Sequence, residues 1–169
     1  MKGGSADSVF YGGDYVPRTD FVTWEQVQEM SASGLVNIAS HSYNGHRAIL
    51  SNPQGNELPF FTGALYDSLT GYESQKEYLE RVKNDLEKSA LDIENHTGSR
   101  PNSMIWPYGR YNDYTIEAAN DLGMEYTFAL NNLHDHPRQD KVFNRFYMDI
   151  STNIPQIENW INREATLNE

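Results

Sequence analysis

Two histidines lie in the polar segment Ser40-His41-Ser42-Tyr43-Asn44-Gly45-His46-Arg47. Neutral imidazole binds zinc, nickel or iron, and a catalytic site of this kind takes three protein ligands and leaves one position for water. Because Gly45 would let the loop fold back, both imidazoles can face one point. The chain has no cysteine, so a third ligand has to be His, Asp or Glu. Taken alone, the spacing is more often that of ordinary surface histidines.

A second candidate loop, Trp106-Pro107-Tyr108-Gly109-Arg110, follows the apolar run Ser103-Met104-Ile105-Trp106. It combines aromatic side chains, a turn fixed by proline and a backbone N–H near the start of a helix. An N–H in that position can stabilise an oxyanion. The two loops together favour a functional site over surface histidines.

Strands that alternate with helices are predicted to position these loops. Caps and helical spacing predict helices from Thr23 (with Gln26 in a capping box) to a stop at Gly34, over residues 75–96, from the cap Asn112 to Gly123, and over residues 157–164. Short apolar runs predict strands at residues 35–40, 103–106 and 126–130 and within 142–150. This order predicts an α/β fold with a parallel sheet or barrel, in which the loops after the strands carry the chemistry.

Two stretches show no steady period and are predicted to be loops. Residues 1–20 are rich in Gly, Ser and Asp, with a turn at Tyr11-Gly12-Gly13-Asp14. Residues 47–74 contain several Pro and Gly and form a connection longer than a compact domain ordinarily uses. Such long loops are usually functional or disordered.

Length and composition bound the class of protein. With 169 residues and 38% hydrophobic residues, the chain is expected to form a single domain over residues 1–169. A formal charge of −11 argues against nucleic acid or an anionic membrane as partner, because both require a basic face. No apolar run approaches the roughly 20 residues of a membrane span, and the opening residues lack the apolar core of a signal peptide. The 11 tyrosines and 3 tryptophans suit a carbohydrate binder, although aromatic residues serve as core just as often.

The two candidate loops resemble the second and third motifs of a known family. His41-Ser42…His46 and Trp106-Pro107-Tyr108-Gly109 are similar to motifs of the NodB-homology polysaccharide deacetylases, carbohydrate esterase family four. Longer strings, at residues 21–27, 34–41 and 106–109, look like the biofilm branch of that family, the poly-β-1,6-N-acetylglucosamine deacetylases of PgaB, HmsF and IcaB type. The resemblance extends over residues 10–161.

The resemblance implies a distorted (β/α) barrel that binds one divalent metal through an Asp-His-His triad, with His41 and His46 as the two histidines. In that family a metal-bound water attacks the acetamide carbonyl, and a second Asp takes the proton. Zinc is expected first, with nickel, cobalt or iron as alternatives. Members of the family work in the periplasm or at the cell surface.

The same resemblance assigns roles to five further positions. The backbone N–H of Tyr108 would share the oxyanion with the metal, and Arg145 would anchor the base Asp. Tyr43, Trp106, Pro107 and Tyr108 would contact the N-acetylglucosamine polymer.

The sequence departs from the family at one essential motif. Thr-Phe-Asp-Asp-Gly, which supplies both the base and the metal-binding carboxylate, is absent, and the chain has no Asp-Asp pair. We therefore expect a domain truncated at its N-terminus, hence an incomplete barrel, inactive alone and able to self-associate through an exposed sheet edge. The family's late-acting histidine has no match either, and His134 and His136 are expected to lie in a surface loop.

Two other functions remain open at this point. One is a noncatalytic carbohydrate-binding module that keeps the groove without the Asp pair. The other is deacetylation of chitin or peptidoglycan, since composition does not name the glycan. The long loop with Asn52-Pro53-Gln54-Gly55-Asn56 favours the biofilm branch, by resemblance alone.

Overall fold

The computed structural model describes residues 7–11, 13–130, 141–146 and 148–166. Helices and short strands alternate along them, which confirms the α/β class. The helices are α1 (Trp24–Ala32), α2 (Gln75–Thr97), α3 (Asp113–Asp121) and α4 (Ile154–Thr166). The strands are β1 (Ser8–Tyr11), β2 (Asp14–Pro17), β3 (Ala48–Leu50), β4 (Glu57–Pro59), β5 (Tyr66–Asp67), β6 (Gly71–Tyr72), β7 (Ser103–Ile105), β8 (Tyr126–Ala129) and β9 (Val142–Asn144).

A three-stranded parallel sheet, in the order β7-β8-β9, carries the second candidate loop. In this sheet Met104 lies opposite Thr127, which lies opposite Val142. The strands agree with the predicted ones to within a few residues. Among the residues that the structure describes, these strands do not close into a barrel.

The helices begin where their capping residues predict. Thr23, Ser74 and Asn112 each accept a hydrogen bond from the backbone N–H three residues on, and each cap is completed as a capping box. Helix α4 begins at Ile154, three residues before the predicted start. Its cap is Asn153, whose side-chain oxygen accepts from the N–H of Gln156 at 3.1 Å.

The two predicted loops contain hairpins, so both predictions were wrong in part. β1 pairs with β2 across the predicted turn at residues 11–14, and the second loop folds into the hairpins β3-β4 and β5-β6. These strands have two to four residues each and are mostly exposed or half-buried on both faces, so no apolar alternation marks them.

The strand predicted at residues 35–40 is not formed. Only Ser40 pairs with the sheet, through a single parallel bridge to Met104. Its N–H donates to the carbonyl of Ser103 and its carbonyl accepts from the N–H of Ile105. Leu35 and Val36 are exposed, so no packing layer reinforces the extended backbone before Ser40.

The core lies between one face of the sheet and helices α2 and α3. Side chains alternate between the two faces of a strand, and Met104 and Thr127 point into this core while their strand neighbours Ile105 and Phe128 lie on the other face. The largest fully buried side chains are Trp106, Phe61, Leu86, Met104, Met124 and Val82. The second candidate loop thus begins at a buried anchor, Trp106.

None of the helices in the described ranges combines the length and apolar character needed to cross a membrane. The longest, α2, has 23 residues, and its buried apolar residues lie along one stripe.

Candidate active site

The fold brings the two histidines of the first loop together. The ring centroids of His41 and His46 lie 5.0 Å apart, with their planes at 77°. His41 directly follows the bridged residue Ser40 at the sheet. The imidazoles therefore meet at the carboxyl end of the parallel strands, where the loops of an α/β fold form sites.

One hydrogen bond fixes which nitrogen of His41 faces the site. The Nδ1 of His41 lies 2.7 Å from the carbonyl oxygen of Ile105. A carbonyl only accepts, so Nδ1 carries the proton and Nε2 of the neutral ring keeps a free lone pair, as a metal ligand requires. Burial lowers the pKa of His41, aided by the positive charges of His46 and Arg145 and opposed by the bond to Ile105. The neutral, metal-binding form is therefore favoured at neutral pH.

The second loop lies against His46. The rings of His46 and Tyr108 are 4.4 Å apart and inclined at 67°. Tyr108 has φ 56° and Gly109 has φ 65°, so a bulky residue is held in the left-handed region that favours glycine. A Cβ on Gly109 would lie 2.3 Å from the backbone nitrogen of Leu130. Close packing against the end of β8 thus fixes the turn that presents Tyr108.

The side chains predicted to contact sugar divide into exposed and buried ones. Tyr43 and Tyr108 are 56% and 47% exposed. Trp106 and Pro107 have almost no exposed surface, and the ring of Trp106 packs 5.4 Å from that of Phe61. Trp106 and Pro107 therefore lie beneath the site, where they support the loop, whereas the two tyrosines are open to a ligand.

Arg145 lies beside this pair of loops, directly after β9. Its backbone N–H donates to Ala129 and its Nη2 donates to the carbonyl of Trp106 at 2.9 Å. Burial lowers the pKa of its guanidinium. The Nε of Arg145 is buried and has no hydrogen-bond partner among the described residues, so this cation presents an unused donor suited to a carboxylate.

The donor set fits a divalent metal in part. His41 and His46 supply two imidazoles at a separation compatible with one ion. No group of three or more His, Asp or Glu that could hold a metal occurs within residues 7–11, 13–130, 141–146 and 148–166. The described side chains thus bring together two potential metal donors, the imidazoles of His41 and His46.

Helix α2 holds the histidine loop from below. The carboxylate of Asp85 accepts from the N–H of Tyr43 at 3.1 Å and from the N–H of Asn44 at 2.7 Å. One turn further on, the hydroxyl of Ser89 lies 2.7 Å from that of Ser40. Burial raises the pKa of Asp85, while the two N–H donors and nearby cations oppose that rise.

The family model described as polysaccharide deacetylase matches residues 5–127, most of the chain. The chain belongs to the polysaccharide deacetylase family.

Two relatives are similar to a large part of the chain. The poly-beta-1,6-N-acetyl-D-glucosamine N-deacetylases of Escherichia coli O157:H7 and of Escherichia coli strain K12 are 37% and 36% identical to it over 123 residues. The match covers 72% of this chain and 18% of each relative. This chain therefore matches less than a fifth of the length of these relatives.

Solved structures share its fold. A de-N-acetylase from Aggregatibacter actinomycetemcomitans superposes with a TM-score of 0.79 at 38% identity, over 90% of this chain and 58% of that one. The BpsB deacetylase domain from Bordetella bronchiseptica gives 0.72 at 37% identity, over 84% and 55%. IcaB from Ammonifex degensii gives 0.61 at 21% identity, over 89% and 55%, which indicates a common fold.

The sequence motifs did not reveal Asp85 and Ser89. A signal was present, because the buried stripe of α2 runs through Tyr78, Val82, Leu86, Ala90 and Ile93. Asp85 and Ser89 fall within that stripe at helical spacing and are buried. Polar residues at apolar positions require partners. His134 and His136, predicted to lie in a surface loop, fall outside the described residues.

Proposed function

We propose that this chain carries the histidine pair of a metal-dependent N-deacetylase that acts on poly-β-1,6-N-acetyl-D-glucosamine, a biofilm exopolysaccharide. The observation that carries the proposal is the hydrogen bond from His41 Nδ1 to Ile105, which leaves Nε2 free beside His46. The substrate is taken from the two Escherichia coli relatives, whose names give this polymer.

His41 and His46 would hold one divalent metal, with zinc preferred and nickel, cobalt or iron as alternatives. When bound, such a metal polarises the acetamide carbonyl and lowers the pKa of a water molecule. The set still requires a carboxylate, which the described residues do not supply. The unpaired Nε of Arg145 supports a role for this residue in holding a carboxylate base.

The second loop would bind and orient the acetamide. The backbone N–H of Tyr108 would donate to the developing oxyanion. The exposed rings of Tyr43 and Tyr108 would contact the sugar, as aromatic faces pack on apolar ring surfaces. Trp106 and Pro107 would form the floor on which Tyr108 rests.

The wider setting follows from the same family. The parallel sheet would be part of a distorted (β/α) barrel, of which the described strands form an incomplete part. The protein would work in the periplasm or at the cell surface. Strands with unpaired backbone groups at the sheet edge would allow copies of the chain to associate.

Acetate release from β-1,6-linked N-acetylglucosamine oligosaccharides tests the function. Because the described residues supply no carboxylate for the site, we expect release with added zinc or cobalt only when this chain is joined to a strand that carries Asp-Asp, and loss of that release in His41→Ala and His46→Ala. His96→Ala is the matched control, because His96 is an exposed histidine on α2 whose ring stacks on Trp24.

The same assay separates the other functions. Oligosaccharide binding without acetate release, whichever divalent metal is added, would favour a noncatalytic carbohydrate-binding module. Equal release from β-1,4-linked oligosaccharides would favour a chitin deacetylase. The absence of both oligosaccharide binding and acetate release would contradict the proposal.

A further inference from the structure

Two buried polar side chains on α2 lie one turn apart beneath the histidine loop. Asp85 is 7% exposed and Ser89 is 6% exposed. Both interrupt the apolar stripe that packs α2 on the core. Burying a carboxylate and a hydroxyl is costly unless both are hydrogen-bonded, so the partners of these two residues indicate what they are for.

All these partners belong to the loop between the two histidines or to its entrance. Asp85 accepts from the N–H groups of Tyr43 and Asn44. Ser89 bonds the hydroxyl of Ser40, the residue before His41. Helix α2 thus holds the loop on both sides of His41, at fixed points one helical turn apart.

The loop needs this support because its backbone is not relaxed. Ser42 has φ 76°, a conformation that a residue with a Cβ rarely adopts. Its N–H donates to the hydroxyl of Ser40 at 3.2 Å, and its own hydroxyl accepts from the N–H of Gly45 at 3.0 Å. The tight turn that results brings His46 back towards His41.

We propose that Asp85, assisted by Ser89, is a positioning residue that fixes the separation and orientation of the His41 and His46 imidazoles. This inference rests on the proposed function, since it assigns to Asp85 the support of the two histidines of the same site. Asp85 touches neither metal nor substrate and acts through the backbone of Tyr43 and Asn44. Partners of this kind around metal ligands commonly control metal affinity.

Zinc affinity, measured by titration calorimetry on the purified chain, tests the inference. We expect Asp85→Ala to weaken zinc binding about 10- to 100-fold, the usual effect of removing a partner that orients a ligand. Asp85→Asn should fall between Asp85→Ala and the wild type, because the amide keeps one of the two acceptor oxygens. Ser89→Ala is a milder change, which serves if Asp85→Ala does not fold. It should weaken zinc binding, but less than Asp85→Ala does.

Asp121→Asn is the control variant, because it also removes a carboxylate, here on the neighbouring helix α3. Its carboxylate pairs with Lys83 at the surface, and its replacement should leave zinc affinity within about twofold, because exposed ion pairs contribute little. A purely structural role for Asp85 would lower the melting temperature while leaving zinc affinity unchanged in the folded variants. That result would overturn the inference and leave the proposed function intact.

A second readout does not depend on metal. In the metal-free chain, proton NMR should give a cross-peak between the two imidazole rings, which are 5.0 Å apart, and Asp85→Ala should abolish or weaken it. Retention of that cross-peak in Asp85→Ala would also overturn the inference. If the wild type and His41→Ala bind zinc equally weakly, the proposed metal site fails, and the ring cross-peak still decides whether Asp85 positions the histidines.

Discussion

Gly45 lies between the two histidines because no larger residue fits there. A Cβ at this position would lie 2.4 Å from the ring of Phe61 and 3.1 Å from that of Phe60. The backbone freedom that the loop needs falls instead on Ser42, which adopts the left-handed conformation. Gly45 was expected to let the loop fold back through its backbone freedom. It instead lets the loop pack closely against Phe60 and Phe61.

Gly45→Ala should destabilise the chain by about 1–3 kcal/mol, the usual cost of overpacking a core. The Phe61 ring has little room to move, because it packs on Trp106. Gly63→Ala is the control, because its Cβ would meet only the flexible end of Leu58 at 3.2 Å. Urea unfolding measures both. Equal stabilities of the two variants would contradict this explanation of Gly45.

Helix α2 organises the segment between β3 and α2 through one arginine. Arg81 pairs with Glu73 through two hydrogen bonds of 2.7 and 2.8 Å, and it donates to the carbonyls of Phe60 and Gly63. Its guanidinium lies over the ring of Phe60 at 4.4 Å. Because Phe61 follows directly and contacts Trp106, this arginine connects the hairpins to the floor of the site.

The stability of this connection should depend on pH through Glu73. Burial acts to raise the pKa of Glu73, but hydrogen bonds from Arg81 and from the N–H of Leu65 outweigh it and hold the pKa below the ordinary 4.5. A lowered pKa in the fold means a contribution that is complete above pH 4.5 and is lost as the pH falls through the folded value.

We expect Glu73→Gln to lower the free energy of unfolding at about pH 7 by about 3 kcal/mol, since one partner of a buried ion pair is removed. Towards about pH 3 the difference from the wild type should narrow, because Glu73 in the folded wild type takes up a proton as the pH falls through its lowered pKa. Asp121→Asn, which breaks an exposed pair, should change stability by at most about 1 kcal/mol at either pH. A constant difference for Glu73→Gln across this range would refute the assignment.

Which elements the sequence predicted depends on whether their signals are local. Capping residues such as Thr23, Ser74 and Asn112 lie next to the helices they start, so three of the four helices were predicted closely. The sequence did not predict the hairpins within residues 8–72. Their strands are short and little buried, so no alternation of apolar and polar residues marks them, and pairing between the strands holds them in place. The strand at residues 35–40 was predicted from an apolar run that begins with the exposed Leu35 and Val36, and it forms only the bridge at Ser40.

The residues of the candidate site likewise divide into those that a local motif predicts and those that it does not. Its histidines and its Trp106-Pro107-Tyr108-Gly109 turn were visible as motifs in the sequence. Asp85 was not, because its partners are backbone N–H groups about 40 positions away, and no local pattern encodes such a contact.

At the scale of the whole molecule, helices cover one face of the parallel sheet, and within the described residues the other face keeps exposed apolar surface. Helices α2 and α3 cover the face that bears Met104. On the other face Phe128 and Phe143 pack together at 5.5 Å, and Phe143 is 41% exposed. Parallel sheets are ordinarily covered on both faces, so apolar surface and a sheet edge are both available for association.

The chain is therefore expected to self-associate, with an average mass that rises with concentration in static light scattering. Phe143→Lys should reduce this, because Phe143 is exposed in β9, an edge strand of this sheet within the described residues, and charge at a sheet edge opposes pairing. Leu69→Lys is the control, since Leu69 is highly exposed in the turn between β5 and β6. A monomer at every concentration would contradict the expectation.

The central claim is that His41 and His46 bind one divalent metal. It is tested most directly by the metal content and zinc affinity of the purified chain and of His41→Ala, at about pH 7.5, where imidazole is neutral. We expect one zinc per chain in the wild type and its loss in the variant. Absence of metal from both, or equal binding by both, would contradict it.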